Sequence, residues 1–470
     1  MTVNKYQALA NKIISQVNTG QLCFGEKLPS IRTMANTHNV SKNTVIKALA
    51  DLERNDYIEA RIRQGFFVKF KGLKNDAPVP LNVEIQPVEV TIPQIFYDIM
   101  QRSAAFDILP SANEQYQSKY LLQLQKDINK ATKNSPFIKA SYYDSPIGLL
   151  NLRKQIRERY RNRGFLINES DLCITSGCQH SLFLSLFSVC KPGDTVAVES
   201  PGYYGIIQLL EQLQLNIVEI PVSGDTGIEL NALAQAAEKW DIVAVVVTPS
   251  FSTPTGALMP INNRQRLINI ANMHNLAVIE DDIYGELGFD SNLPPVKSFD
   301  TEQRVILCSS FSKCLSRDLR IGWVSGGRWH DKIIRLKLTS QLASGQLQQQ
   351  AVADFMVNGH FKRHINSFKN SLLLHRNQLL SALLQYGPVS IKYTLPNGGL
   401  ALWVEFEQHV DTTKLYSKAL KENIILTPGQ LFSSAGHFKN SIRISFNHPF
   451  TGQRLNALKQ VTTKLIKSVL

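Results

Sequence analysis

Residues 304–323 read RVILCSSFSKCLSRDLRIGW. The run Val305 to Leu307 is apolar and rich in β-branched residues, the composition of a strand buried on both faces. It passes through Ser309, Ser310 and Ser312 and reaches Lys313, with Arg320 and Trp323 beyond. Most lysines are solvated loop residues. An amine flanked by hydroxyls where a buried strand ends is a different matter, because open α/β sheets bind ligands beyond the carboxyl ends of their strands.

Other strands of this kind lie further out. DLCIT, DTVAVES, IVAVVVTP and LAVIEDD are short, apolar and β-branched. Helical stretches such as QHSLFLSLFSVC and NNRQRLINIANMHN are interleaved with them. This alternation predicts an α/β fold with a mainly parallel sheet covered on both faces. Each strand also ends in polar or aromatic residues. Ser176, Gly177, Cys178 and Gln179 open a helix, whose first N–H groups and dipole favour a phosphate. Pro201-Gly202-Tyr203-Tyr204 follow a second strand, and Asp281, Asp282 and Tyr284 a third.

An amine, a carboxylate, a phenol, hydroxyls, an arginine, a helix N-terminus and an aromatic face form the set that pyridoxal 5'-phosphate requires. A lysine takes the aldehyde, a carboxylate keeps the pyridine nitrogen protonated, and the remaining groups hold the ring oxygen and phosphate. Taken singly, each residue also has a structural reading. Asp281 could cap a helix, Tyr203 could be a pocket wall, and Arg443 could pair with a carboxylate.

The order of TSGCQ, ESPGYYG, TPSFSTPTG, IEDDIYGEL, SSFSKCLSRDLRIGW and SIRISF resembles the fold-type I aminotransferases over residues 106–470. The resemblance implies Lys313 as the Schiff-base lysine, Asp281 as partner of the ring nitrogen and Tyr284 as partner of the ring hydroxyl. It implies a phosphate site made by Ser310, Ser312, Arg320 and the backbone of Gly177, Cys178 and Gln179, with Tyr203 stacked on the ring. Arg443 would clamp the α-carboxylate of an amino acid through its planar fork. Tyr143, in YYDSPIGLLNLR, matches a tyrosine that reaches the phosphate of a neighbouring subunit, which implies a homodimer. A small C-terminal subdomain is expected from about residue 370. Thr253 is a departure: relatives commonly carry asparagine there, and the shorter threonine puts a contact to the ring oxygen in doubt.

The chain has 470 residues, 43% hydrophobic and 19% charged, with a net charge of +13. Residues 1–75 hold 12 Lys and Arg against 5 Asp and Glu, so the first sixth of the chain carries more than half of the excess. A basic terminal module suggests an anionic partner, nucleic acid being the commonest. YQALANKIISQVNTG has Leu9, Ile13, Ile14 and Val17 at helical spacing and stops at Gly20. Pro29-Ser30 start a second helix, and Ser41 caps a third with Val45, Leu49 and Leu52 as its stripe. IEARIRQGFFVKF reads as a hairpin. Three helices and a hairpin make a winged helix-turn-helix, with the third helix in the major groove of double-stranded DNA.

GEKLPSIRTMANTHNVSKNTVIKALADLERNDYI is similar to the DNA-binding domain of the GntR family. That similarity implies a DNA-binding domain over residues 1–70, with Arg32, Ser41, Lys42, Asn43 and Thr44 at the DNA and Gly65 at the wing tip. Ile46 stands where many relatives carry arginine, which removes one DNA contact. Residues 71–105, with prolines and no sustained period, read as a linker.

The cysteines at 23, 173, 178, 190, 308 and 314 form no C-x-x-C pair and fit a reducing cytoplasm. The N-terminus lacks the apolar core of a signal peptide, no apolar run has bilayer length, and no metal site or membrane partner is expected. The whole arrangement resembles the MocR subfamily of regulators. It implies a dimeric transcription factor whose large domain senses an amino compound or pyridoxal phosphate itself. The alternative is a catalytically active aminotransferase carrying a DNA-binding domain.

Overall fold

The computed structural model describes residues 5–18, 22, 24–61, 65–69, 78, 80, 85–90, 94–103, 107–111, 119–134, 143, 145–290 and 292–468. Gly20 and Cys23, read above from the sequence, lie outside the described residues.

The N-terminal module consists of α1 (Lys5–Asn18), α2 (Ile31–Thr37), α3 (Lys42–Arg54) and the antiparallel pair β1 (Ile58–Arg61) and β2 (Gly65–Val68). Its core gathers Leu9, Ile13, Val17, Val45, Leu49 and Leu52, the stripes visible in the sequence, while Ile14 stays half-buried. Ser30 and Ser41 cap α2 and α3, each accepting from an N–H three residues on at 3.1 Å. Such caps each stabilise a helix by about 1 kcal/mol. Gly65 opens β2 with φ +107, a conformation that side chains other than glycine resist.

The body is built on one sheet: β3 (Val88–Glu89), β4 (Cys173–Thr175), β5 (Thr195–Ser200), β6 (Asn216–Ser223), β7 (Gly227–Ile228), β8 (Ile242–Val247), β9 (Ala277–Asp281), β10 (Val305–Ser310) and β11 (Gly322–Ser325). The strand order is β3-β6-β5-β8-β9-β10-β11-β4, with β7 paired to β6. Strands β6, β5, β8, β9 and β10 pair in parallel, and β11 runs antiparallel between β10 and β4. Strand residues alternate between two cores: Val196, Val198, Ala244 and Val246 face one side, Ala197, Val245 and Val247 the other. Burial on both faces explains why these strands read as unbroken apolar runs.

A second, antiparallel sheet of order β12-β13-β15-β14 joins Lys392–Tyr393, Ala401–Glu405, Ser441–Ser445 and Thr427–Pro428. The 27-residue helix His360–Tyr386 leads into it.

One sequence expectation needs correction. Residues 71–105 are not all linker: β3 pairs with β6 through Val88 and Ile217, and a helix spans Gln94–Ser103. Ile99 and Met100 are buried in the body's core, and the Tyr97 phenol donates to Glu211 at 2.6 Å. Three apolar residues, Phe96, Ile99 and Met100, anchor this helix. Their pattern is too short to stand out behind a proline-rich approach.

Candidate functional site

The strand ends meet on one edge of the sheet. Because β4 and β10 both flank the antiparallel β11, Gly322 is paired with Thr175 on one side and Ser310 on the other. The start of helix Cys178–Val189 is thereby carried beside the end of β10. Gly177 has φ +106, and a Cβ there would lie 2.8 Å from the Arg320 guanidinium, so only glycine fits. Arg320 is exposed at the mouth and donates from Nη2 to the Ser176 carbonyl at 2.8 Å.

A cavity of about 200 Å³ opens at this edge. Lys313, Asp281, Tyr284, Ser310, Ser312 and Arg320 line it, together with Cys178, Gln179, Tyr203 and Thr253. Ten of the positions singled out in the sequence therefore share one wall. Three do not. Gly177 lies behind Arg320, Tyr143 is 83% exposed, and Arg443 lines a separate crevice of about 20 Å³ with Asp107 and Thr427. The Arg443 side chain is buried, donates from Nη2 to Thr427 Oγ1 at 3.3 Å and lies 5.5 Å over the Phe432 ring. Its charge still reaches Lys313 and Tyr284.

The electrostatics favour a neutral amine beside a poised carboxylate. Burial pushes the Lys313 ammonium well below its ordinary range, and the nearby Arg317 and Arg443 push it further. Burial raises Asp281 to about 6, against the opposing hydrogen bonds from Cys178 Sγ at 3.2 Å and the Ile283 N–H at 3.1 Å. Burial also raises the Tyr284 phenol, whose polar neighbour is the Thr253 hydroxyl. Beneath this layer, Arg163 forks onto Asp282 and donates to the Leu293 carbonyl, fixing the loop that carries Tyr284. Cys314 is buried, its thiol against Arg159 and its carbonyl against His364, which agrees with a packing role.

The residue types fit pyridoxal phosphate. A neutral amine suits an aldehyde, and a carboxylate strained toward protonation gains from a pyridinium. A helix N-terminus with hydroxyls and an arginine suits a phosphate dianion. Among the described residues no cluster suits a metal ion.

Two residues escaped the sequence reading. Arg317 lines the cavity four residues beyond Lys313, in an irregular turn with no periodicity to mark it in the sequence. Glu199, at the end of β5, is buried and raised to about 8 by burial, though it accepts from the Thr248 N–H and the Ser252 hydroxyl. Below its ordinary 4.5 both folded and unfolded chains hold this proton. Between 4.5 and about 8 only the folded chain does, so stability falls as pH rises through this window. Glu199→Gln is expected to flatten that fall, measured as Tm of the cofactor-free protein from pH 5 to 8.5. An unchanged slope would mean that Glu199 does not carry it.

Residues 112–454 match the class I and II aminotransferases, and residues 5–68 match the gntR family of bacterial regulatory proteins. The chain is 34% identical to the uncharacterized HTH-type transcriptional regulator YjiR of Escherichia coli, over 98% of each chain. It is 24% identical to the HTH-type transcriptional regulator NorG of Staphylococcus aureus, over 94% of this chain and 100% of NorG. Among solved structures, kynurenine aminotransferase of Pyrococcus horikoshii, in complex with PMP, gives a TM-score of 0.72 at 26% identity over 81% of this chain and 96% of that one. LysN of Thermus thermophilus, an α-aminoadipate aminotransferase complexed with N-(5'-phosphopyridoxyl)-L-leucine, gives 0.67 at 25% identity over 79% and 95%. Among the described residues no helix is long and apolar enough to cross a membrane. With a GntR winged helix at one end and a class I and II aminotransferase domain filling the rest, the chain belongs to the MocR-type transcriptional regulators of the GntR family.

Proposed function

We propose that the aminotransferase-like body holds pyridoxal phosphate and reports an amino compound, or the cofactor itself, to the DNA-binding module. The observation that carries this is the cavity shared by Lys313, Asp281 and Tyr284 beside the start of helix Cys178–Val189. When bound, the cofactor supplies an aldehyde and an electron-withdrawing ring. Lys313 offers it a neutral amine. Asp281 sits to accept from the ring nitrogen, Tyr284 faces the ring oxygen, and Tyr203 covers the ring. Ser310, Ser312, Arg320 and the N–H groups of Gly177, Cys178 and Gln179 hold the phosphate. Arg443 lies off the cavity wall in the separate crevice, but its charge reaches Lys313, and it would have to turn toward the cavity to take the carboxylate of the incoming amine.

Tyr143 is exposed and outside its own chain's cavity, which suits a tyrosine that completes the partner's site in a homodimer. In the DNA-binding module, Arg32, Ser41, Lys42 and Asn43 are exposed and Thr44 half-buried, with Gly65 at the wing. These meet DNA.

An effector moves DNA affinity only by binding two states of the protein unequally. The test is anisotropy of a labelled fragment from upstream of the protein's own gene. Affinity should change at least fivefold when pyridoxal phosphate, or an amine added to the loaded protein, is present. No change with either would sink the sensing reading. Repeated exchange of amino groups onto a keto acid would make the protein a working aminotransferase.

A further inference from the structure

One side chain of the cavity wall grips the carboxylate beside it. Cys178 is the first residue of helix Cys178–Val189, and its Sγ donates to Asp281 Oδ1 at 3.2 Å. The Ile283 N–H donates to the same oxygen at 3.1 Å. With both bonds on Oδ1, Oδ2 is the oxygen left for a donor inside the cavity that Cys178 and Asp281 line together.

The helix that carries Cys178 is itself fixed. Ser181 Oγ donates to the Trp323 carbonyl at 3.1 Å and lies 2.7 Å from Thr175 Oγ1. Ser185 Oγ lies 3.3 Å from Cys308 Sγ. These contacts pin the helix to β4, β10 and β11, so the thiol holds Asp281 from a fixed origin. The Cys178 N–H, one residue past Gly177, belongs to the helix terminus that suits a phosphate. Two separate parts of the cofactor, phosphate and ring nitrogen, are thus referred to one residue.

The thiol can act only as a donor. Burial pushes it well above its ordinary range and the Asp281 carboxylate pushes it further, so it stays protonated. A thiol is a weak donor, which agrees with Asp281 remaining as high as about 6. The other groups that face this carboxylate change little near that pH. Asp282 is paired with Arg163, and Glu199, raised to about 8, keeps its proton. Tyr203, Tyr284 and Cys308 are all raised and stay protonated. Lys313 is lowered and offers a neutral amine. A change of pH near 6 therefore acts on Asp281 itself.

We propose that Cys178 is a positioning residue for the cofactor: its thiol holds Oδ1 of Asp281 so that Oδ2 faces the ring nitrogen. The inference rests on the reading that this cavity takes pyridoxal phosphate. Cys178 meets the phosphate through its backbone and acts on the ring through Asp281. Without the thiol, the Ile283 N–H alone holds Oδ1. The carboxylate is then free to turn, and it gives up its proton at a higher pH. A serine hydroxyl, a stronger donor in the same place, restores the hold.

The full-length protein, with and without saturating pyridoxal phosphate, provides the test. The gain in Tm on loading is followed across the pH range, together with the position of the visible band. In the unaltered protein the gain is expected to rise with a midpoint at about 6. In Cys178→Ala that midpoint should move up by about half a pH unit or more, and the band should move toward that of Asp281→Asn. Cys178→Ser is expected to keep both close to the unaltered protein. In an Asp281→Ala background, Cys178→Ala should change neither, because nothing is left for the thiol to hold. A midpoint and band unmoved by Cys178→Ala overturn the proposal. So does a shift of equal size in the Asp281→Ala background, or a Cys178→Ser variant that behaves as Cys178→Ala does. If the unaltered protein forms no visible band with pyridoxal phosphate, the cofactor reading fails first and the inference goes with it.

Discussion

Lys313→Ala is expected to abolish the visible absorbance of the pyridoxal-phosphate-loaded protein while leaving the Tm of the cofactor-free form unchanged or slightly raised. The two halves of this result have separate causes. The band requires a covalent carbon–nitrogen link to a buried amine, and alanine offers none. Stability depends on the cost of burying the ammonium. Burial and two neighbouring guanidinium groups hold the Lys313 pKa well below its unfolded value. Between the two values the unfolded chain binds a proton that the folded chain does not, so folding is penalised there and the penalty fades as pH rises. Removing the amine removes the penalty.

Lys313→Arg makes a sharper control. It places a permanent positive charge in the wall where Lys313 is neutral and cannot form the link, so the band is lost again, whereas phosphate-driven cofactor affinity survives in part. A band that persists in either variant would take Lys313 out of the chemistry. Asp281→Asn addresses the ring nitrogen: the band should form but lie at a different wavelength, with cofactor affinity lowered about tenfold or more. The carboxylate is raised to about 6 without the cofactor, so the gain in Tm on loading should be larger at pH 8 than at pH 5. Above about 6 the bare carboxylate is ionised and strained, and the pyridinium relieves it.

Much of this site was legible before any fold was known, for a physical reason. Strands β5, β8, β9 and β10 are buried on both faces, so they appear as apolar runs, and a polar residue at the end of such a run is conspicuous. Lys313, Asp281 and Tyr203 are marked in that way. Tyr284 and Thr253 follow within a few residues of a strand end and share the cavity.

What was not legible depends on contacts across the fold. Arg317 sits in an irregular turn, where no periodicity says which side it faces. Arg443 does lie on a strand, yet the registry of the small sheet places it beside Thr427 and Phe432, off the cavity wall. Helix Gln94–Ser103 was hidden for another reason. It derives its place from packing against the body more than from local pattern, as buried Ile99 and the Tyr97–Glu211 hydrogen bond show.

DNA binding should be the most salt-sensitive property of the protein. In α3, Val45, Ala48, Leu49 and Leu52 are buried, so Lys42, Asn43, Ile46 and Lys47 are left on the accessible side. Lys27 and Arg32 are exposed nearby. Two such modules in a homodimer would make roughly 6–10 phosphate contacts, for which affinity falls by about 10³–10⁵ between 50 and 200 mM salt. The slope of log affinity against log salt is therefore expected to be steep, and Lys42→Ala should reduce it by about 1 per module. Ile46 is 48% exposed and apolar, on the accessible face of α3 that we propose meets the groove. It can touch a thymine methyl, a contact that carries no charge. Ile46→Arg should therefore tighten binding to unrelated fragments as well as to the true site and steepen the slope by about 1 per module. If Ile46→Arg leaves the slope unchanged, α3 does not face the phosphates at that position. A nearly flat slope for the unaltered protein would show that this basic module does not bind DNA through its charge.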